Sequence, residues 1–402
     1  MSERIVITSA GVISCIGAGV QEFEQALYGG ASGIMESELF PARPITGEVR
    51  KFAPQQWLGN KGIRVLDRSA RLLCVAASMA LRTSGLQQSE ATDGDPELVL
   101  ICGTMFGGLH SITSFDWSGL VDGPNYVNPM EFPNTVINSP AGQAAIKYKL
   151  RGINSTVCAG LASGLYALHC GAEFLRFGRA HILLAGGVEE LCEESILGFR
   201  KTGFISPSGS LRPYGRDRDG TVLGEGSALL VLETDETASA RGAKPWSEVS
   251  GFGCAHDAQN INGFRIRAEG ATAAMEQALE AAGIGPEQVA CIVSGASGSR
   301  AGDEMEARAL QNVFQHRLEK IPVCAPKAAL GEVMGASGAL CALVGAIALQ
   351  KQTLPPTAGF TESDTPLRLS SNPQPVEGEF AVVNAFSCGG NNASLVLRRW
   401  VE

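Results

Sequence analysis

Cys158 is the residue with the clearest chemical promise in this chain. It stands in "INSTVCAGLASGLYALHC", residues 153 to 170, where a β-like run meets a stretch of Ala, Gly and Ser. Small residues there let backbone and substrate approach closely. The segment "VCAGLASGLYALHCGAEFLRFG" reads as one long helix, which puts the thiol in its first turn. The macrodipole and free N–H groups at a helix start lower a thiol's pKa, and that activates cysteine for acyl transfer. The competing reading is a buried strand-end cysteine without chemistry. The local sequence is compatible with both.

A nucleophilic thiol usually works with a histidine. There are five. His169 follows Cys158 by eleven positions on the expected helix, about 16 Å along its axis, and reads as a packing residue. His181 begins a buried strand and His316 ends a charged helix. His110 follows the "GTMFGG" loop, and His256 lies in the loop "GFGCAHDAQN".

The whole chain limits what such a site can serve. It has 402 residues, 45% of them hydrophobic and 18% charged, the composition of a core-rich globular protein. A net charge of −9 disfavours bulk nucleic-acid binding. Eleven cysteines without zinc spacing, in a chain whose first residues "MSERIVITSAG" enter a strand directly, suggest a reduced, cytoplasmic protein with mostly inert thiols. The sequence is read as having no apolar run of membrane-spanning length.

Short buried strands such as "RIVITSAGVIS", "PELVLICGT", "AHILLAGGVEE" and "QVACIVSGASGS" alternate with helical patterns. Residues 67–84 and the segments "DEMEARALQNVF" and "ASGALCALVGAIALQ" are helical. This alternation predicts an α/β fold with sheets buried on both faces. "GTVLGEGSALLVLE" and "NAFSCGGNNASLVL" read as cognate hairpins of two duplicated halves, 1–250 and 251–402.

The Cys158 segment, "AGGVEE" (185–190), "LRPYGRDRDGTVLGEGSALLVLE" (211–233), "AGDEMEARAL" (301–310), "PKAALGEVMGASGAL" (326–340) and "NAFSCGGNNASLVL" (384–397) together resemble the β-ketoacyl-acyl-carrier-protein synthases. These are condensing enzymes of the thiolase-like superfamily. The resemblance covers essentially the whole chain, and its most specific part is the RDG-x-V-x-G-EG block. It implies a thiolase-like duplicated five-layer αβαβα fold and a dimer. Its substrates are acyl chains on the phosphopantetheine arm of an acyl carrier protein, with no covalently bound cofactor and no metal.

Members of that family condense with a Cys-His-His triad. Here Gly295 stands at the first histidine's place and Glu332 at the second's, while Cys158, Lys327 and Glu306 match the pattern. At the C-terminal gate, Cys388 replaces the family's phenylalanine, between Phe386 and Gly389. A lost donor to a developing oxyanion typically costs about 10²–10³ in rate. Glu332, if ionised, is acceptor-only and would repel a malonyl carboxylate by roughly 4 kcal/mol at about 4 Å.

Two functions follow from the resemblance. One is a chain-length-factor-like partner of an active ketosynthase in fatty acid or type II polyketide synthesis, with which it forms a heterodimer. The other is a Cys-dependent acyltransferase or unusual condensing enzyme acting on acyl-carrier protein or acyl-CoA, pairing with itself as a homodimer, with Glu332 as a base. "YVNPMEFPNTVINSPAGQAAIKYKL" and "INSTV" resemble the family's dimer-facing parts. Lys61, Arg64 and Arg68, in "NKGIRVLDRSAR", are the expected docking residues for an acidic carrier protein.

Overall fold

The computed structural model describes residues 3–86, 98–259 and 261–401. Its first strand, β1 (Ile5–Ser14), is buried along its whole length, as a β-branched run covered on both faces must be. β2 (Val99–Gly103), β3 (Asn154–Val157), β4 (Ile182–Glu189) and β5 (Gly226–Thr234) join it in the order β3-β2-β4-β5-β1. β2 is parallel to β3 and β4, whereas the β4–β5 and β5–β1 pairings are antiparallel.

The second half repeats this plan. β6 (Ser247–His256), β7 (Val289–Val293), β8 (Val323–Cys324), β9 (Phe380–Phe386) and β10 (Asn391–Arg399) run in the order β8-β7-β9-β10-β6. β7 is parallel to β8 and β9, and the remaining pairings are antiparallel. Matching order and polarity mark the duplication. The halves meet at β1 and β6 through the pairs Val6–Glu248 and Ile7–Ser247. The expected division near residue 250 falls inside β6.

Helices complete five layers. α1 (Arg68–Thr83) covers the outer face of the first half, and Asp67 caps it by accepting the Ala70 N–H at 2.8 Å. α2 (Leu109–Val121) has no buried residue. α3 (Ser139–Tyr148) packs beside α1. α4 (Ser163–Arg176) lies on the inner face of the first half, and α5 (Glu193–Lys201) lies next to α2. α6 (Glu269–Ala282) and α7 (Arg300–Phe314) cover the second half's outer face. α8 (Ser337–Lys351) packs against α4 and both halves.

Three sequence expectations change here. The helix expected from Val157 begins only at Ser163, because Gly160 takes a left-handed φ of 61° and breaks the path. "GTVLGEGSALLVLE" is a single strand, β5, preceded by isolated bridges from Thr221, Leu223 and Gly224, whereas β9 and β10 do form a hairpin. Met334–Lys351 is long and apolar enough to span a membrane, with mean hydropathy 1.3 over 18 residues, and is 89% buried as the molecule's central helix. A helix enclosed on every side is apolar all round for that reason.

Candidate functional site

Cys158 follows β3, which closes one end of the sheet, and its side chain is exposed. It precedes the first residue of α4 by five positions. The thiol therefore lies outside the first helical turn, beyond the short reach of the dipole argument. A sharp elbow holds it instead. The Ala159 N–H donates to Ser163 Oγ at 2.9 Å, and the Leu161 N–H donates to Ser387 Oγ at 3.3 Å. A Cβ on Gly160 would lie 2.5 Å from that Ser387 oxygen and on a left-handed backbone, so a larger residue there would strain the elbow. The thiol donates to the Met105 carbonyl at 3.4 Å.

A cavity of about 790 Å³ opens beside the elbow. Met105, Gly160, Ser387 and Cys388 form the end next to it, and the rings of Phe106, Phe199, Phe204 and Phe264 form an aromatic wall. Phe106 and Phe199 meet edge-on with centroids 6.2 Å apart, and Phe199 and Phe204 are 5.4 Å apart. Such a wall suits an apolar guest.

Two buried carboxylates brace the surrounding loops. Glu189, at the end of β4, accepts N–H groups from Met105, Phe106 and Gly335 and the hydroxyl of Thr104, at 2.7–3.1 Å. Glu306 accepts the Gly295 N–H at 3.1 Å and the Asn384 amide at 3.0 Å. Burial raises the Glu306 pKa, and its hydrogen bonds oppose that rise.

Glu332 is fully buried. It accepts from Lys327 Nζ at 2.7 Å, Ser337 Oγ at 2.6 Å and the Met334 N–H at 3.1 Å. Burial is the largest influence on the Lys327 ammonium and works against it, but the charge and hydrogen bond of Glu332, together with the other groups nearby, leave the amine above its usual pKa. The pair is neutral overall. The expected 4 kcal/mol repulsion of an incoming carboxylate thus loses its source. At Gly295 a Cβ would lie 2.9 Å from the Asn384 carbonyl, so backbone fills the place of a side chain.

Residues 2–238 match the family described as beta-ketoacyl synthase, N-terminal domain, and residues 246–361 match its C-terminal domain. The chain belongs to the beta-ketoacyl synthase family. Among curated relatives, it is 33% identical to 3-oxoacyl-(acyl-carrier-protein) synthase 2 of Coxiella burnetii (strain RSA 493 / Nine Mile phase I), over 98% of each chain. It is 31% identical to the protein of the same name from Vibrio cholerae, over 98% of this chain and 99% of that one. A solved structure described as the ishigamide ketosynthase/chain length factor matches with TM-score 0.93 and 29% identity over 100% of both chains. A beta-ketoacyl synthase from Burkholderia phymatum matches with TM-score 0.90 and 26% identity, over 99% of this chain and 100% of that one.

Within this ketosynthase fold the expected site residues divide. Cys388 and Gly389 line the cavity, but Phe386 is packed into the outer core of the second half with Met275 and Val382. Burial, then Glu332, push the Cys388 thiol's pKa up. Lys61 and Arg64 are exposed. Arg68 is not available as expected for docking: it forks onto the buried Glu225 carboxylate, with Nε at 2.6 Å from Oε2 and a second contact to Oε1.

None of the five histidines lines the cavity or hydrogen-bonds Cys158, Gly295 or Glu332. His169 stacks on Phe252, centroids 4.1 Å apart, and burial lowers its pKa. His256 accepts the Ala258 N–H at 2.9 Å beside Gly390, off the cavity wall. His110 pairs with Glu194 at 3.2 Å near the cavity rim, and His181 and His316 are exposed. Sequence reasoning missed Glu189 and Ser387 as organisers of the elbow. The one available signal for Glu189 was a carboxylate at the end of an apolar strand.

Proposed function

We propose that this chain is a non-condensing, chain-length-factor-like partner of an active ketosynthase. The observation that carries this reading is the state of Glu332. Its carboxylate stands at the second histidine's place and is enclosed by three donors of its own chain. A carboxylate so held has no proton for an enolate oxygen, and Gly295 has no side-chain donor at all. The ishigamide structure, described as a ketosynthase/chain length factor, gives the same reading weight at 29% identity.

The surface supports an assembly. Trp117, Leu120, Tyr126, Met130 and Phe132 are exposed on α2 and the segment after it. Exposed apolar residues gathered in one stretch suit an interface. β3 adds an open sheet edge, which a partner strand would cover. An acidic carrier protein would dock at Lys61 and Arg64, bringing its phosphopantetheine arm to the cavity.

Carbon dioxide release from malonyl-carrier tests the reading. The expected result is none, and decarboxylation at an ordinary synthase's rate would overturn it. Light scattering, alone and with a co-expressed ketosynthase homologue, tests the assembly; a stable monomer in both samples would refute it.

A second reading is acyl transfer through Cys158, favoured by the thiol's exposure beside the cavity. Glu332, held by Lys327, would then not be the base. Intact-mass spectrometry after mixing with acyl-carrier separates the readings. An adduct lost in Cys158→Ala favours transfer.

A further inference from the structure

Glu189 is 1% exposed, and three segments meet on its carboxylate. Oε2 accepts the Met105 N–H at 2.7 Å and the Gly335 N–H at 2.9 Å. Oε1 accepts the Phe106 N–H and the Thr104 hydroxyl, both at 3.1 Å. The same Met105 residue turns its carbonyl to the Cys158 thiol at 3.4 Å. Gly335 is tightly seated: a Cβ there would lie 2.4 Å from Met105 N and 2.6 Å from Glu189 Oε2.

We infer that Glu189 is a positioning residue for Cys158: by gripping the Met105–Phe106 backbone it aims the Met105 carbonyl at the thiol and fixes the direction of its S–H bond. A thiol held on a carbonyl oxygen must leave that bond before it can turn to an electrophile. The inference rests on Cys158 being a competent thiol, and on neither its acyl group nor its partner.

The arrangement also makes the grip depend on pH. Four donors on two oxygens leave a proton no place without loss of a bond. Burial pushes the Glu189 carboxyl up to about 7, opposed by hydrogen bonds from Met105, Phe106 and Gly335. Two titratable neighbours feel its charge. Glu190 is pushed up to about 8 by burial and then by Asp67, and the Cys102 thiol on β2 is raised by burial and then by Glu189. As pH falls through this range Glu189 takes up a proton, and its hold on Met105 loosens.

The test uses the full chain. Alkylation of Cys158 by iodoacetamide is followed from pH 5.5 to 9 by peptide mass spectrometry, which separates it from the exposed Cys254. Hydrogen exchange of the peptide 103–109 is measured over the same range. The expected wild-type rate profile needs a second ionisation near 7 besides that of the thiol. Below it, exchange corrected for intrinsic chemistry rises about fivefold, the effect of one net hydrogen bond. Glu189→Gln is expected to react about fivefold faster at pH 8 and to show a single ionisation.

Thr104→Val keeps the carboxylate, removes one donor and should move the break to higher pH. It serves if the Gln variant fails to fold. A single ionisation in the wild type with no pH-dependent exchange at 103–109 would overturn the inference, as would a folded Gln variant with the wild-type profile. A thiol inert at every pH would instead overturn the reading of Cys158 as competent, and the exchange data would still judge the grip of Glu189.

Discussion

Lys327→Met should be among the most damaging single substitutions in this protein. Lys327 and Glu332 are both buried and 2.7 Å apart. Removing the cation leaves a carboxylate with only Ser337 and the Met334 N–H as donors. Breaking a buried pair on one side typically costs about 3–5 kcal/mol. At about 2.1 cal/mol/K per residue the unfolding entropy of the chain is about 0.8 kcal/mol/K, so about 4 kcal/mol lowers Tm by about 5 °C. The pH dependence carries its own signature. Lys327's folded pKa is raised above its usual value of 10.5. Its contribution is therefore full below that value and is lost as pH rises through the folded pKa. Replacing both partners, as Lys327→Met with Glu332→Leu, should recover most of the loss, because an apolar pair leaves no charge unpaired. Thermal unfolding of the two single variants and the double variant across pH gives the coupling energy. A Lys327→Met loss under about 1 kcal/mol, or no coupling between the two positions, would refute the argument that this pair locks the site.

Other outcomes follow from the same geometry. Gly295→His should destabilise by about 1–3 kcal/mol, since its Cβ meets the Asn384 carbonyl, and the Gly295→His/Glu332→His pair should not restore carbon dioxide release. Calorimetry and a malonyl-carrier assay check both parts. Arg68→Ala should cost about 3 kcal/mol by stranding Glu225, whereas Lys61→Glu and Arg64→Glu should change stability by under about 0.5 kcal/mol and weaken carrier binding. Urea unfolding and a carrier titration separate these effects. Glu189 and Asp303 are pushed up to about 7, and Glu190 to about 8, mainly by burial. The folded state then holds protons that the unfolded chain has lost, so these groups make stability fall as pH rises from about 5 to about 8. The urea midpoint should be higher at pH 6 than at pH 8.

The parts of the fold that were legible in the sequence are those set by local pattern. The buried strand runs and the helix over 67–84 rest on residues close together in the chain, and the repeat of the two halves shows as a recurrence of those local patterns. The motifs also singled out Cys158, Gly295 and Glu332, which the structure places at an exposed elbow, against the Asn384 backbone and in a buried ion pair. What stayed hidden depends on side-chain direction and, for Arg68 and Gly160, on distant partners. Arg68 looked like a free surface cation because Glu225, its partner, lies 157 residues away. The delayed start of α4 depends on Gly160 fitting against Ser387, a contact between the two halves. Glu332 looked like a bare negative charge, and nothing local said that the Lys327 side chain folds back onto it. Phe386 shares a short motif with Cys388, but alternation along β9 sends its ring into the core.

Cys158 comes directly after β3, the last strand of the sheet, so an assembly through that strand would tie association to reactivity. A strand that pairs with β3 would set the backbone one residue from the thiol, and so would a group bonded to that sulfur. Linkage makes any such coupling reciprocal. If acylation tightens the assembly tenfold, assembly must favour the acylated form tenfold. The acylation state of one subunit would then reach its partner through a single shared ladder of backbone hydrogen bonds, with no moving domain between them.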